Sequence, residues 1–112
     1  MENKTVLTLI ERASRKGVAK AYSYRGYYGG KQHVEKYRVV SDEGRWLLYH
    51  YGTLTATVTN GVSKVVYGES PSDVNSIETF ISELTGNTPE MHYYPSKYLF
   101  TVVKGGKVVK QF

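Results

Sequence analysis

The chain has 112 residues and no cysteine, enough for one hydrophobic core but not for disulfides, thiolate nucleophiles or cysteine-ligated zinc. Hydrophobic residues at 40% and charged residues at 22% exclude a disordered tail and predict one folded domain spanning residues 1–112. The net charge of +5 is uneven: nine basic residues face three acidic ones through Val40, acids dominate from Ser41 to Glu90, and the last four lysines have no acidic neighbour. If both ends of the chain join one sheet, their charges sum to a basic surface suited to phosphate or to an acidic protein.

The first element is a helix. Val6, Leu9, Ile10 and Ala13 recur at helical spacing, Asn3 is the N-cap and Gly17 the left-handed C-cap residue. Arg12, Arg15 and Lys16 fall in its last turns, where the helix dipole favours cations. The apolar run VLTLI is too short for a signal-peptide core or a membrane span. It predicts a soluble, cytoplasmic protein that no membrane holds.

After Gly17 the pattern becomes that of strands: VAKAYSY, HVEKYRVV, RWLLYHY, TLTATVT and SKVVY are rich in β-branched and aromatic residues. TLTATVT sorts Leu54, Ala56 and Val58 to one face and its threonines to the other. Asn60-Gly61 predicts a type I′ hairpin with VSKVVY, and Gly52 a bulge or tight reversal.

In ESPSDVNSIETFISELTG, Ser70 caps a second helix, Pro71 is its first residue and Asp73 completes a variant capping box. Val74, Ile77, Ile81 and Leu84, with Phe80 beside them, form its buried stripe, and Gly86 ends it. Asp73, Asn75, Glu78, Ser82 and Glu83 are expected on its outer face, an acidic surface that repels nucleic acid. YLFTVV and KVVKQF around Gly105-Gly106 predict a closing hairpin. The fold class is therefore α+β: an antiparallel sheet of about five to seven strands with two helices packed on one face.

No HExxH, phosphate-binding loop or complete GxSxG motif is present, and GESPS is explained by the cap at Ser70. His33, His50 and His92 are dispersed, so a metal site or an acid-base site requires that they converge with one another or with a carboxylate in a cleft. RGYYGG starts like the RNA-recognition strand motif but places Tyr28 and Gly29 where a small residue and a stacking aromatic belong. Eleven tyrosines exceed what this core can bury with satisfied hydroxyls, so several are expected on the surface, where tyrosine is effective interface material.

The run WLLYHYGTLTATV followed by VVYGESPSDVNSIETFISEL resembles a pattern in small proteins of tailed phages and prophages, over Val34 to Leu84. The resemblance implies an accessory protein of a phage or mobile element that acts on host machinery or defence, and brings no active-site residues with it. The basic charge departs from the acidic DNA mimics common among phage inhibitors.

Together these readings predict a non-enzymatic binding protein with no cofactor and no metal, whose partner is a host or defence protein. Its expected surface is Tyr22, Tyr24, Arg25, Tyr27 and Tyr28 with Tyr49 and Tyr51. The alternative is a nucleic-acid binder that uses Arg25, Lys31, Lys36, Arg38, Lys104, Lys107 and Lys110 on phosphates, with tyrosines stacking on bases. The closing hairpin also offers an edge for a homodimer.

Overall fold

The computed structural model describes residues 3–27 and 30–112, with side chains described outside residues 24–32. Helix α1 (Lys4–Lys16) opens with the Val6 N–H donating to Asn3 Oδ1 at 3.1 Å and ends at Gly17, φ +84°. The Asn3 N–H donates to Thr79 Oγ1 at 2.9 Å, so the start of α1 is tied to the second helix, α2 (Pro71–Thr85). Val6, Leu9, Ile10 and Ala13 are all buried, as their spacing predicts.

Five strands follow α1: β1 (Val18–Tyr27), β2 (Gly30–Asp42), β3 (Arg45–His50), β4 (Thr53–Thr59) and β5 (Val62–Val65). They pair in chain order as an antiparallel sheet. The turns at Glu43-Gly44, Tyr51-Gly52 and Asn60-Gly61 all place a non-glycine residue near φ +50° and then a glycine near φ +80°. That conformation matches the twist of the flanking strands. Gly26 lies inside β1, paired with Lys31. Three further strands, β6 (Glu90–Tyr94), β7 (Leu99–Lys104) and β8 (Lys107–Gln111), form a separate sheet in that order. The prediction of two strands after α2 thus missed β6, whose register against β7 joins Met91 to Val102 and Tyr93 to Phe100.

Both helices lie on one face of the five-stranded sheet. Ala19, Tyr37, Val39, Leu48, Ala56, Val58 and Val65 meet Ile77, Phe80 and Ile81 of α2 and the buried stripe of α1 in one core, which Met91 and Phe100 of the second sheet complete. Gly68 has no room for a side chain, because an added Cβ would stand 2.5 Å from the Phe100 ring. One expected pattern fails within β4. The register shifts between Leu48 and Tyr49, so that Tyr49 pairs with Leu54 and Thr55 becomes the extra residue of a bulge. Thr55 is buried with its hydroxyl donating to the Leu48 carbonyl at 3.2 Å, and Leu54 leaves the face of Ala56 and Val58. Asp73, expected on the outer face of α2, is also buried.

Candidate functional site

The helices leave the other face of the five-stranded sheet uncovered. Strand alternation and register place Val18, Lys20 and Tyr22 of β1 there, with Arg38 and Val40 of β2 and Leu47 and Tyr49 of β3. Tyr22 is exposed, and its ring centroid lies 4.5 Å from that of His33. Opposite Tyr49 in the register, Arg38 lays its guanidinium over the tyrosine ring, 4.2 Å from the centroid. Arg38 has no carboxylate partner among the described residues, and its buried Nε has no acceptor. Lys20 does have one: Glu35, at 3.8 Å.

The expected surface is thus assembled in part. Tyr22 and Tyr49 share the open face with Arg38. Tyr51 does not join Tyr49, because its φ of +48° in the β3–β4 turn breaks the alternation and sets its ring 4.7 Å from that of His50. The side chains of Tyr24, Arg25, Tyr27 and Lys31, and the whole of Tyr28, lie outside the described residues.

The basic set divides. Lys36 stands at the bulge in β2 with Nζ 5.5 Å from the Tyr37 ring centroid. Lys104, Lys107 and Lys110 belong to the β7–β8 hairpin of the other sheet, and Lys110 Nζ donates to the Val65 carbonyl at 2.7 Å. Lys110 thus meets the five-stranded sheet at its edge strand β5, three strand positions from β2, which carries Arg38. The two ends of the chain therefore do not sum their charge in one sheet.

The convergence of a histidine with a carboxylate in a cleft, which the sequence set as the condition for an acid-base site, occurs at His50, with Asp73 as a carboxylate the sequence did not single out. His50 Nδ1 lies 2.7 Å from Asp73 Oδ1, with both residues buried. Burial pushes the Asp73 carboxyl up, but the hydrogen bonds from His50 and the Glu69 N–H, the His50 charge and the Ser70 hydroxyl outweigh it and leave the carboxyl below its ordinary value. An ionised carboxylate only accepts, so Nδ1 carries the proton and donates. Asp73 Oδ2 accepts from the Glu69 N–H at 2.9 Å and from Ser70 Oγ at 3.1 Å, while the Asp73 N–H donates to Ser70 Oγ. The capping box that starts α2 is thus also what holds the histidine. The pair forms part of the wall of a cleft of about 340 Å³. His33 and His92 lie apart from it, His92 against Glu90 at 3.2 Å on the surface.

No protein-family model, curated protein or solved structure matches this chain. The site therefore rests on its own geometry. A larger cleft of about 480 Å³ runs between β5, the end of α2 and the β7–β8 hairpin, with Lys64, Lys104, Lys110 and Glu90 on its walls. Lys110 is already engaged there by the Val65 carbonyl.

Proposed function

We propose that the protein is a non-enzymatic binding module whose open sheet face docks an acidic surface of a protein partner. The observation that carries this reading is the Arg38–Tyr49 contact: a guanidinium over a ring, 4.2 Å from its centroid, without a carboxylate of its own among the described residues. Arg and Tyr are the side chains that most often anchor protein interfaces, and a guanidinium already in contact with a ring loses little entropy on meeting a carboxylate. Around this contact, Val40, Leu47 and Leu54 supply apolar area and are only partly buried. Arg45 and Lys64 add positive charge to the same face, against Asp42 and the already paired Glu35. The phage-like pattern from Val34 to Leu84 supports a host or defence protein as that partner.

The test compares immobilised wild-type protein with a Tyr22→Ala, Arg38→Ala, Tyr49→Ala triple variant of unchanged far-UV circular dichroism in capture from host lysate. An acidic protein retained by the wild type and lost by the variant supports the reading, and equal retention by both sinks it. Titration with single- and double-stranded oligonucleotides separates the alternative. A nucleic-acid binder weakens with a log–log salt slope of about 0.7 to 0.9 per neutralised phosphate. The division of the lysines between two sheets leads us to expect little binding of this kind.

A further inference from the structure

Lys110 stands where the two sheets meet. It belongs to β8, and its Nζ donates at 2.7 Å to the carbonyl of Val65 on β5, the last strand of the other sheet. The side chain is partly buried, and among the described residues no carboxylate pairs with it. An ammonium has three protons, so two remain to donate after the bond to Val65. The carbonyl fixes where the ammonium stands and leaves its charge unmatched, a costly arrangement for a partly desolvated cation.

That ammonium is on the wall of the larger cleft, whose volume of about 480 Å³ is that of a small-molecule site. The lining sets the kind of occupant. Lys64 and Lys104 bring the count to three ammonium groups against one carboxylate, Glu90, which already lies 3.2 Å from His92 Nε2. An anion is therefore favoured and a cation repelled. The remaining walls are largely apolar: Pro89, Val102 and Val103 are partly buried and Val109 is exposed. A bare inorganic anion leaves that area wet, whereas an apolar body gains by covering it. Glu90 on the same wall penalises a dianion more than a monoanion, which selects a single carboxylate as the charged group.

We propose that the cleft between β5, the end of α2 and the β7–β8 hairpin binds a small organic monoanion, an apolar body carrying one carboxylate, with that carboxylate on Lys110 Nζ. The Val65 carbonyl holds the ammonium at the cleft wall beforehand, so little side-chain freedom is lost on binding. Of the lining residues named, only Lys64 also borders the open sheet face, so neither site depends on the other.

The experiment titrates the full ¹⁵N-labelled chain with hexanoate, hexanol, hexylammonium and inorganic phosphate at constant ionic strength and reads amide shifts. Hexanoate should move the Val65, Lys104, Val109 and Lys110 amides saturably. Hexanol and phosphate, each lacking one half of the ligand, should bind at least about tenfold more weakly, and hexylammonium should not bind. Lys110→Met keeps an unbranched apolar stem and removes the charge. It should weaken hexanoate about tenfold or more, the size of one charge-assisted hydrogen bond, while Lys107→Met, on the same hairpin but outside the cleft lining, should leave binding unchanged. Val109→Glu puts a carboxylate into the lining at an exposed position and should abolish binding, which keeps the test valid if Lys110→Met loosens β8. No saturable shift with hexanoate, equal affinity for hexanol, hexylammonium or phosphate, undiminished binding by either cleft variant, or an equal loss in Lys107→Met would overturn the proposal.

Discussion

Asp73 serves both ends of its own side chain. One oxygen closes the N-terminal cap of α2 and the other holds His50, so a single substitution acts on a helix and on a cleft. Its depressed carboxyl pKa has a definite consequence for stability. The contribution is fully present above the ordinary carboxyl value and is lost as pH falls through the lower folded-state value. Urea denaturation between about pH 6 and pH 3 should show the wild type losing its advantage over Asp73→Asn toward the acid end. A constant difference across that range would show that the carboxylate is not held in this way. Asp73→Ala, which strands His50 as well, should cost roughly 3 to 5 kcal/mol. Gly68→Ala is a steric test at the same scale. The added methyl meets a fully buried Phe100, and overpacking of that kind should cost about 1 to 3 kcal/mol in thermal melts.

Among the elements, the helices and hairpins were the most legible in sequence. Asn3, Gly17, Ser70, Pro71 and Gly86 each hold the capping position their chemistry predicts, because a cap is decided within four residues. Asn60-Gly61 and Gly105-Gly106 form the tight turns expected of them. The Thr55 bulge was not legible, since the alternation of TLTATVT is perfect and only the pairing with β3 reveals the extra residue. Nor was the His50–Asp73 pair, whose members lie on a strand and a helix that meet only when α2 docks. The one available signal was an acidic residue at the third helical position, and capping alone accounted for it. Turn chemistry also supplies a prediction: Glu43 sits at φ +47°, a conformation that asparagine tolerates far better. Glu43→Asn should stabilise the protein by about 1 kcal/mol, read as a melting temperature a few degrees higher.

For the molecule as a whole, the two sheets differ in how firmly they are held. The five-stranded sheet is covered by two helices, and no helix of the described residues is long and apolar enough to cross a membrane. The three-stranded sheet reaches the core through Met91 and Phe100, while Val108 and Val109 of β8 are exposed. Phe112 fastens its outer strand, edge-on to Phe100 at 6.1 Å and to Tyr67 at 5.6 Å. Amide exchange in β8 should therefore be faster than at Val39 or Leu48. Phe112→Ala should speed it further while costing about 2 kcal/mol, below the value for a fully buried phenylalanine. Exchange in β8 as slow as in the core would show that the second sheet opens only with the first.

The order of the five strands has a consequence for how the chain is made. Each strand pairs with the one before it, so on a ribosome the sheet can assemble as it emerges, without waiting for a distant segment. Its lid arrives late. A nascent chain that has reached Gly68 carries Leu48, Ala56, Val58 and Val65 on a bare face, with His50 still lacking its aspartate. The fifteen residues of α2 then cover that face and close the pair in a single docking event, so the moment of greatest vulnerability to aggregation in the cell falls just before the chain's own second helix leaves the exit tunnel.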